Sequence, residues 1–571
     1  MKTHQRARMH GTNAHLEWLI GALLVLLSGY TNHVYATNSS AELHLTLRYV
    51  DNASEPYLFA HAVLKGLDAD CQVLIIPDRW ANARSLHRSL LNLRGEAGSM
   101  IEVASETEAR VCGKERTVTY SWDIQPRKTT APSSRDMTRY RPLIQPDYVH
   151  LIGHTFLILP DQPEAWRTAI RFEQFPVPWS MQTTLGELKD GTFRSLDTPI
   201  TPKRAAFWFG KPVQQRAPLR SGYDVVLAGS ALELKVLDVQ RIASLLDQLD
   251  ASTGKARQSD YQINLMVMQG APQDYALDGT AFVGGFSVFM TGNVEVSAVE
   301  RLLFHEILHE WLSLAFPPLQ EPEAEMYWFS EGAMDYFTDR LLMDWGFIDR
   351  ATYLQRLDLR LRDISLSPWA HLGHKELAER FFESHALSQL TYARGAALAM
   401  FWDRRLGKVR GDATERIYDG ALRELGNTWS GQTSSERIFA TMKEAGITSP
   451  TVDWKRIVDQ GDLSDLIGLH IDACTRLEAA DIFPFEIGFD FEASGESRII
   501  SGVSSESNAW QAGLRNSQRY HMGRWQFGNP DAPAELTITD PDSGEKTITF
   551  LPRATRAVAS LKAKPIAGCE L

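Results

Sequence analysis

Near Leu234 the spacing of apolar residues changes, and that change limits what the chain can fold into more than any other feature. Before it, from Ala41 to Ser230, β-branched and aromatic runs alternate with turn residues, as at Leu43–Tyr49, Cys71–Ile76, Arg116–Trp122 and Val149–Ile152. Such runs read as strands, because residues two apart share one face of a pleated chain. After it, Asp238–Leu249 repeats apolar residues at the three- and four-residue spacing of a helix face. A strand follows at Tyr261–Met268, helical spacing then dominates to about residue 470, and the last hundred residues return to strands and turns. With 571 residues, a pattern that switches twice calls for several cores. The expected class is multidomain α+β: a β-rich region over 37–232, a mostly helical one over 233–472 and a third over 473–571.

The first 36 residues stand apart. Lys2, Arg6 and Arg8 precede the apolar run Leu19–Leu27, and Val34-Tyr35-Ala36 follows, the layout of a secretory leader cleaved after Ala36. The run is too short to span a bilayer, so no membrane span is expected in the mature chain, which is expected to be exported. Acidic residues outnumber basic ones by 71 to 59, a net charge of −12. Without the leader the counts become 70 and 56, or −14. That balance, with no basic tract, argues against nucleic acid as a partner. Export also changes how the four cysteines are read. Of their three possible pairings, Cys71–Cys112 with Cys474–Cys569 closes loops within regions, whereas the others tether the two ends of the chain. None lies in a C-x-x-C pattern.

His305-Glu306-Ile307-Leu308-His309 is an H-E-x-x-H motif within an expected helix over Val296–Phe316, opened by a Ser297–Glu300 capping box and stopped by Pro317-Pro318. Four residues make close to one turn, so both imidazoles project from one face and can hold one Zn²⁺, while Glu306 points at the metal's water. Downstream, Trp328-Phe-Ser-Glu331-Gly332-Ala-Met-Asp335 begins a second helix. Glu331 is placed to complete a His-His-Glu set with a fourth position open for water. Asp335, one turn on, is placed to accept the free N–H of a zinc-bound histidine.

These residues, with His309-Glu-Trp311 and Trp328-Phe-Ser-Glu331-Gly332, resemble the glycyl aminopeptidase family of zinc metallopeptidases, a gluzincin group. The resemblance implies a β-rich N-terminal domain, a thermolysin-like catalytic domain, a C-terminal PDZ domain, one zinc per chain, peptide or protein substrates and, for an exported chain, a periplasmic place of work. Leu390-Thr-Tyr392-Ala-Arg394-Gly395 is similar to the family's Tyr-x-Lys-Gly helix, with arginine for lysine, and implies that Tyr392 donates to the tetrahedral oxyanion. Gly284-Gly285-Phe286-Ser287 resembles the strand that binds substrate backbone by β-augmentation. Relatives often carry a glutamate there for the substrate's free amine, which leaves Asp274 or Asp278 just upstream as alternative anions and the choice of aminopeptidase or endopeptidase open. Ile487-Gly488-Phe489-Asp490-Phe491, Ile499–Val503 and Asn508-Ala-Trp510-Gln-Ala512-Gly513-Leu514 resemble a PDZ domain, implying a carboxylate loop with a strand edge beside it for C-terminal peptides. Ser517-Gln518 stands where Gly-Asp is usual. The alternative from another functional class is a catalytically silent protein that binds peptides through this last region.

Overall fold

The computed structural model describes residues 41–52, 55–80, 83–125, 140–160, 166–211, 214–229, 237–253, 259–268, 277–282, 284–291, 294–315, 319–320, 322–410, 433–526, 528–540 and 544–569. The leader and its cleavage point, the boundary at 232/233, Asp274 and Pro317-Pro318 lie outside them. The chain packs as two compact units, one of described residues up to Gln320 with 433–434, the other of 322–410 and 435–569.

In the first unit the period-2 runs are strands. Glu42–Val50 and Tyr57–Lys65 bury every second residue, so one face is core. They are the middle of a six-stranded sheet in the order Thr192–Ile200, Trp166–Glu173, Glu42–Val50, Tyr57–Lys65, Val118–Ile124, Leu90–Gly95. Two four-stranded sheets contribute to the same core, in which Leu45, Leu58, Trp122, Leu151, Phe156 and Phe207 are fully or almost fully buried. Cys71 lies opposite Cys112 in an antiparallel pair, and the two form a disulfide.

A five-stranded sheet follows, ordered Gln214–Pro218, Asp224–Ala228, Tyr261–Met268, Gly285–Thr291, Leu277–Phe282. Its three central strands are parallel and both outer strands antiparallel. The helix Val239–Thr253 links two of the parallel strands, with Asp238 capping its start by accepting from the Gln240 amide at 3.0 Å. The helix Val296–Ala315 packs on the last two strands of the chain order, Leu277–Phe282 and Gly285–Thr291. It begins at Val296 as expected, but its cap differs. Ser297 is already inside the helix, and the carbonyl of Glu295 accepts from the amides of Ala298 and Val299. Glu300, assigned to the box, instead pairs with Arg241 at 2.8 Å, because a neighbouring helix offers it a charged partner.

The second unit is helical to residue 466 and mixed beyond. Its helices include Met334–Asp344, Arg350–Leu366, His385–Arg410 and Ser435–Glu444. The strands His470–Asp472, Thr475–Ile482 and Val558–Pro565 form one sheet, and Arg519–Arg524, Ala534–Asp540 and Gly544–Phe550 another. Cys474 and Cys569 are joined. Val558–Pro565 lies along the helix Arg350–Leu366, where Asp358 accepts from the Ala563 amide at 2.8 Å. One expectation fails in this region. The segment after Ile487-Gly488-Phe489 is a helix, Phe491–Ser497, because Asp490 caps it by accepting from the Ala493 amide. The strand edge expected beside that loop is therefore absent at this position. Among the described residues no helix is long and apolar enough to cross a membrane.

Candidate metal and catalytic centre

On the helix Val296–Ala315, spacing puts His305, Glu306 and His309 within one turn, and all three are buried. The Nε2 atoms of His305 and His309 face each other at 2.9 Å, with the ring planes near perpendicular. Two imidazole nitrogens at that distance cannot both present lone pairs; a proton or a cation has to lie between them.

Glu331 belongs to a π-helical turn, Trp328–Ala333, that runs into the helix Met334–Asp344. Such turns bulge a helix locally and re-aim its side chains. What holds this one is a glycine crossing with the helix His385–Arg410. A Cβ on Gly332 would stand 2.6 Å from the Cα of Gly395, and one on Gly395 would stand 1.9 Å from the Trp328 carbonyl oxygen, so only glycine permits the approach. One turn before Gly395 comes Tyr392. Burial, followed by the charges of Glu331 and Asp335, pushes the pKa of its hydroxyl far above the usual tyrosine value. Tyr392 is thus a protonated donor at any ordinary pH. Asp335 is almost buried and has Arg360 Nε at 3.8 Å, while Arg360 Nη2 donates to the Asp335 carbonyl at 3.1 Å. Arg360 also pairs with Asp339 on the next turn, which Arg356 engages at 2.8 Å. This network was not legible in the sequence, since its arginines look like ordinary helix-face charges.

Arg394, the arginine found in place of lysine, is fully buried. Its guanidinium donates to the carbonyls of Leu372 at 2.8 Å, Val458 at 3.1 Å, Asp459 at 3.3 Å and Ala370 at 2.6 Å. Burial lowers its pKa to about 10, so it remains a cation at neutral pH. Its role is to gather carbonyls from the connection at 370–372 and from the π-helical turn Lys455–Asp459.

Among the described residues one group of histidine, cysteine or carboxylate side chains is close enough to share a metal ion. It is His305, His309 and Glu331, whose ligand atoms lie within 4.8 Å of one another, all buried. Two imidazoles and a carboxylate are the donor set of catalytic zinc, and the residues present fit that ion.

The substrate-strand expectation for Gly284, Gly285, Phe286 and Ser287 does not hold. Gly285–Thr291 is paired on both sides, with Tyr261–Met268 and with Leu277–Phe282, so it has no open edge for a peptide. Gly284 turns the chain between the two antiparallel strands at φ +71°, and a Cβ on Gly285 would meet the Gln262 carbonyl at 2.5 Å. Ser287 Oγ is buried between His150 Nε2 at 2.9 Å and Asn264 Nδ2 at 3.1 Å. A residue enclosed in this way carries no information on how a substrate amine is met. The outer strand beside Gly285–Thr291 is Leu277–Phe282, and its Asp278 accepts from the Gly279 amide at 2.7 Å.

No protein-family model matches the chain, and no curated protein does. Solved structures do. An aminopeptidase N family protein from Idiomarina loihiensis aligns over 92% of this chain and 98% of its own at 13% identity, with a TM-score of 0.63. An M1 zinc metallopeptidase from Deinococcus radiodurans aligns over 74% of this chain and 93% of its own at 16% identity, with a TM-score of 0.48. At such identities the likeness is one of fold, and only the first is close enough to use. The part of this chain that it leaves unaligned is shorter than the region 473–571, so the shared architecture reaches into the C-terminal strands: the chain has a mixed α and β fold similar to that of the Idiomarina loihiensis aminopeptidase N family protein.

Proposed function

We propose that the protein is an exported zinc metallopeptidase that hydrolyses peptide bonds, with a β-rich region over 37–232, a catalytic region over 233–472 and a C-terminal region over 473–571. The observation that carries this reading is the buried set of His305, His309 and Glu331 with two facing ring nitrogens. Similarity in fold to an aminopeptidase N family protein and two disulfides, which suit an oxidising compartment such as the periplasm, support it.

His305, His309 and Glu331 hold the ion, and Asp335 orients a histidine ligand. Zinc, when bound, polarises the scissile carbonyl and brings the pKa of water to about 7. Glu306, adjacent to a ligand on the same helix turn, takes the proton of the attacking water and returns it to the leaving amine. Tyr392, kept protonated by burial and by its carboxylate neighbours, donates to the oxyanion. The chain itself forms no covalent intermediate. Whether a free substrate amine is required is a separate question, since Ser287 does not bear on it. No observation favours a catalytically silent peptide binder: Glu306 is in place, and the segment beside the C-terminal loop is a helix.

Glu306→Gln is the test. Metal analysis should find about one zinc per chain, as in the parent, while hydrolysis of a mixed peptide pool falls by about 10²- to 10⁴-fold. Near-parental turnover would rule the mechanism out. Glu331→Ala should instead lose the metal, because two histidines hold zinc poorly.

A further inference from the structure

Three aromatic side chains form a continuous row from solvent to Tyr392. The Phe381 ring lies 5.9 Å from that of Tyr392 and 4.6 Å from that of Tyr327. Phe382 lies 5.0 Å from Phe381 and 6.3 Å from Tyr327, at nearly right angles to both. Tyr327 and Phe381 are buried, whereas Phe382 is 56% exposed. Tyr327 immediately precedes the π-helical turn that carries Glu331. The row therefore ends beside two of the groups assigned to the reaction.

The turn bearing Phe382 is held in place. Arg380 pairs with Glu383 at 2.9 Å and Glu376 at 3.3 Å, and its guanidinium lies 4.8 Å from the centre of the Trp369 ring. A large apolar ring held in water by a fixed turn, continuous with a buried aromatic row, is a ready surface for another apolar group, and aromatic rings pair best edge to face or offset. Binding residues are disproportionately carried by loops that a rigid scaffold positions.

We propose that Phe382, backed by the buried Phe381 and Tyr327, forms the subsite for a substrate side chain next to the scissile bond, and that this side chain is aromatic. The proposal rests on the peptidase reading above and names its substrate class. The zinc-loaded protein is given paired peptides that differ only by Phe or Ala on one side of the cleaved bond. At one of the two positions Phe should be preferred by about tenfold in kcat/KM, the scale of one apolar side chain in a pocket. Phe382→Ala should cut that preference to about threefold or less, with Ala peptides within about twofold of parental rates, and Phe382→Trp should restore it. Equal losses on both peptides, or an unchanged preference in Phe382→Ala, would overturn the subsite. A second arm measures equilibrium binding of the same peptides to Glu306→Gln. Phe382→Ala in that background should weaken the Phe peptide and leave the Ala peptide unchanged. If no peptide is hydrolysed by the parent protein, the peptidase reading fails. The binding arm then still decides the subsite: a Phe382-dependent difference supports it, and equal affinities sink it.

Discussion

The seam between the strands Tyr148–Ile152 and Gly285–Thr291 and the layer formed by the helices Met334–Asp344, Arg350–Leu366 and His385–Arg410 bury polar groups in opposite electrical states. In the seam, His150, Ser287, Asn264 and Gln262 are neutral and hydrogen-bonded in a chain, and burial drops the His150 pKa to about 3. In the helical layer the buried groups are ions: Asp339 with Arg356 and Arg360, Asp403 with Arg404, and Arg394 among carbonyls. The difference follows from reach. Short side chains on a strand interior meet only other short side chains, and neutral hydrogen bonds are the cheapest way to bury them. Arginines on helices have long stems that bring a charge to partners several ångströms away, which a buried ion requires.

The largest effect that would break this contrast comes from Arg394. Arg394→Met should destabilise the protein by about 3 to 5 kcal/mol, because four carbonyl oxygens lose their donor. Denaturant unfolding measures it, and a loss under about 1 kcal/mol would mean that water satisfies those carbonyls equally well.

Acid should separate the two units. For a histidine whose folded pKa is depressed, the unfolded chain takes up the proton first, so its stability contribution is present above pH 6.5 and is lost as pH falls towards 3. His150, and His154 with a pKa likewise lowered to about 3, should each take about 2 kcal/mol from the first unit by pH 5. In the second unit Asp363 has its pKa raised to about 6, chiefly by burial, and here the sign reverses. Its charged form is penalised above that value, so acidification from pH 7 to 5 should add about 1 kcal/mol. His374, lowered by burial, works against that gain. Hydrogen exchange followed region by region between pH 7 and 5 should show protection falling in 41–320 well before 322–569. A uniform loss would erase the distinction, and His150→Asn should flatten the slope of the first unit.

The smallest effect sharpens the assignment of Ser287. Ser287→Ala removes a hydroxyl from a buried chain of hydrogen bonds and should cost about 1 kcal/mol, with the ratio of rates for acetylated and free-amine peptides unchanged. A shifted ratio would return Ser287 to the substrate cleft.

What could be read from the residues alone was local. Strand and helix periods follow from backbone geometry, so Tyr261–Met268 was legible to the residue and the start of the helix at Val296 as well. The H-E-x-x-H pair needs only one helical turn to bring its rings together, and the two disulfides are the regional pairing among the three that four cysteines allow. Tertiary packing decided the rest. A strand's face can be inferred from alternation, but whether it lies at an edge or between two neighbours depends on strand order, so Gly284-Gly285-Phe286-Ser287 resembles a substrate-binding edge in sequence while its strand is paired on both sides. His150, which encloses Ser287, is 137 residues away in the chain. The Gly332–Gly395 approach and the carbonyls around Arg394 likewise join separate elements, and no periodicity records which distant segment will arrive, because the arrangement is chosen by the sum of weak contacts over the whole core.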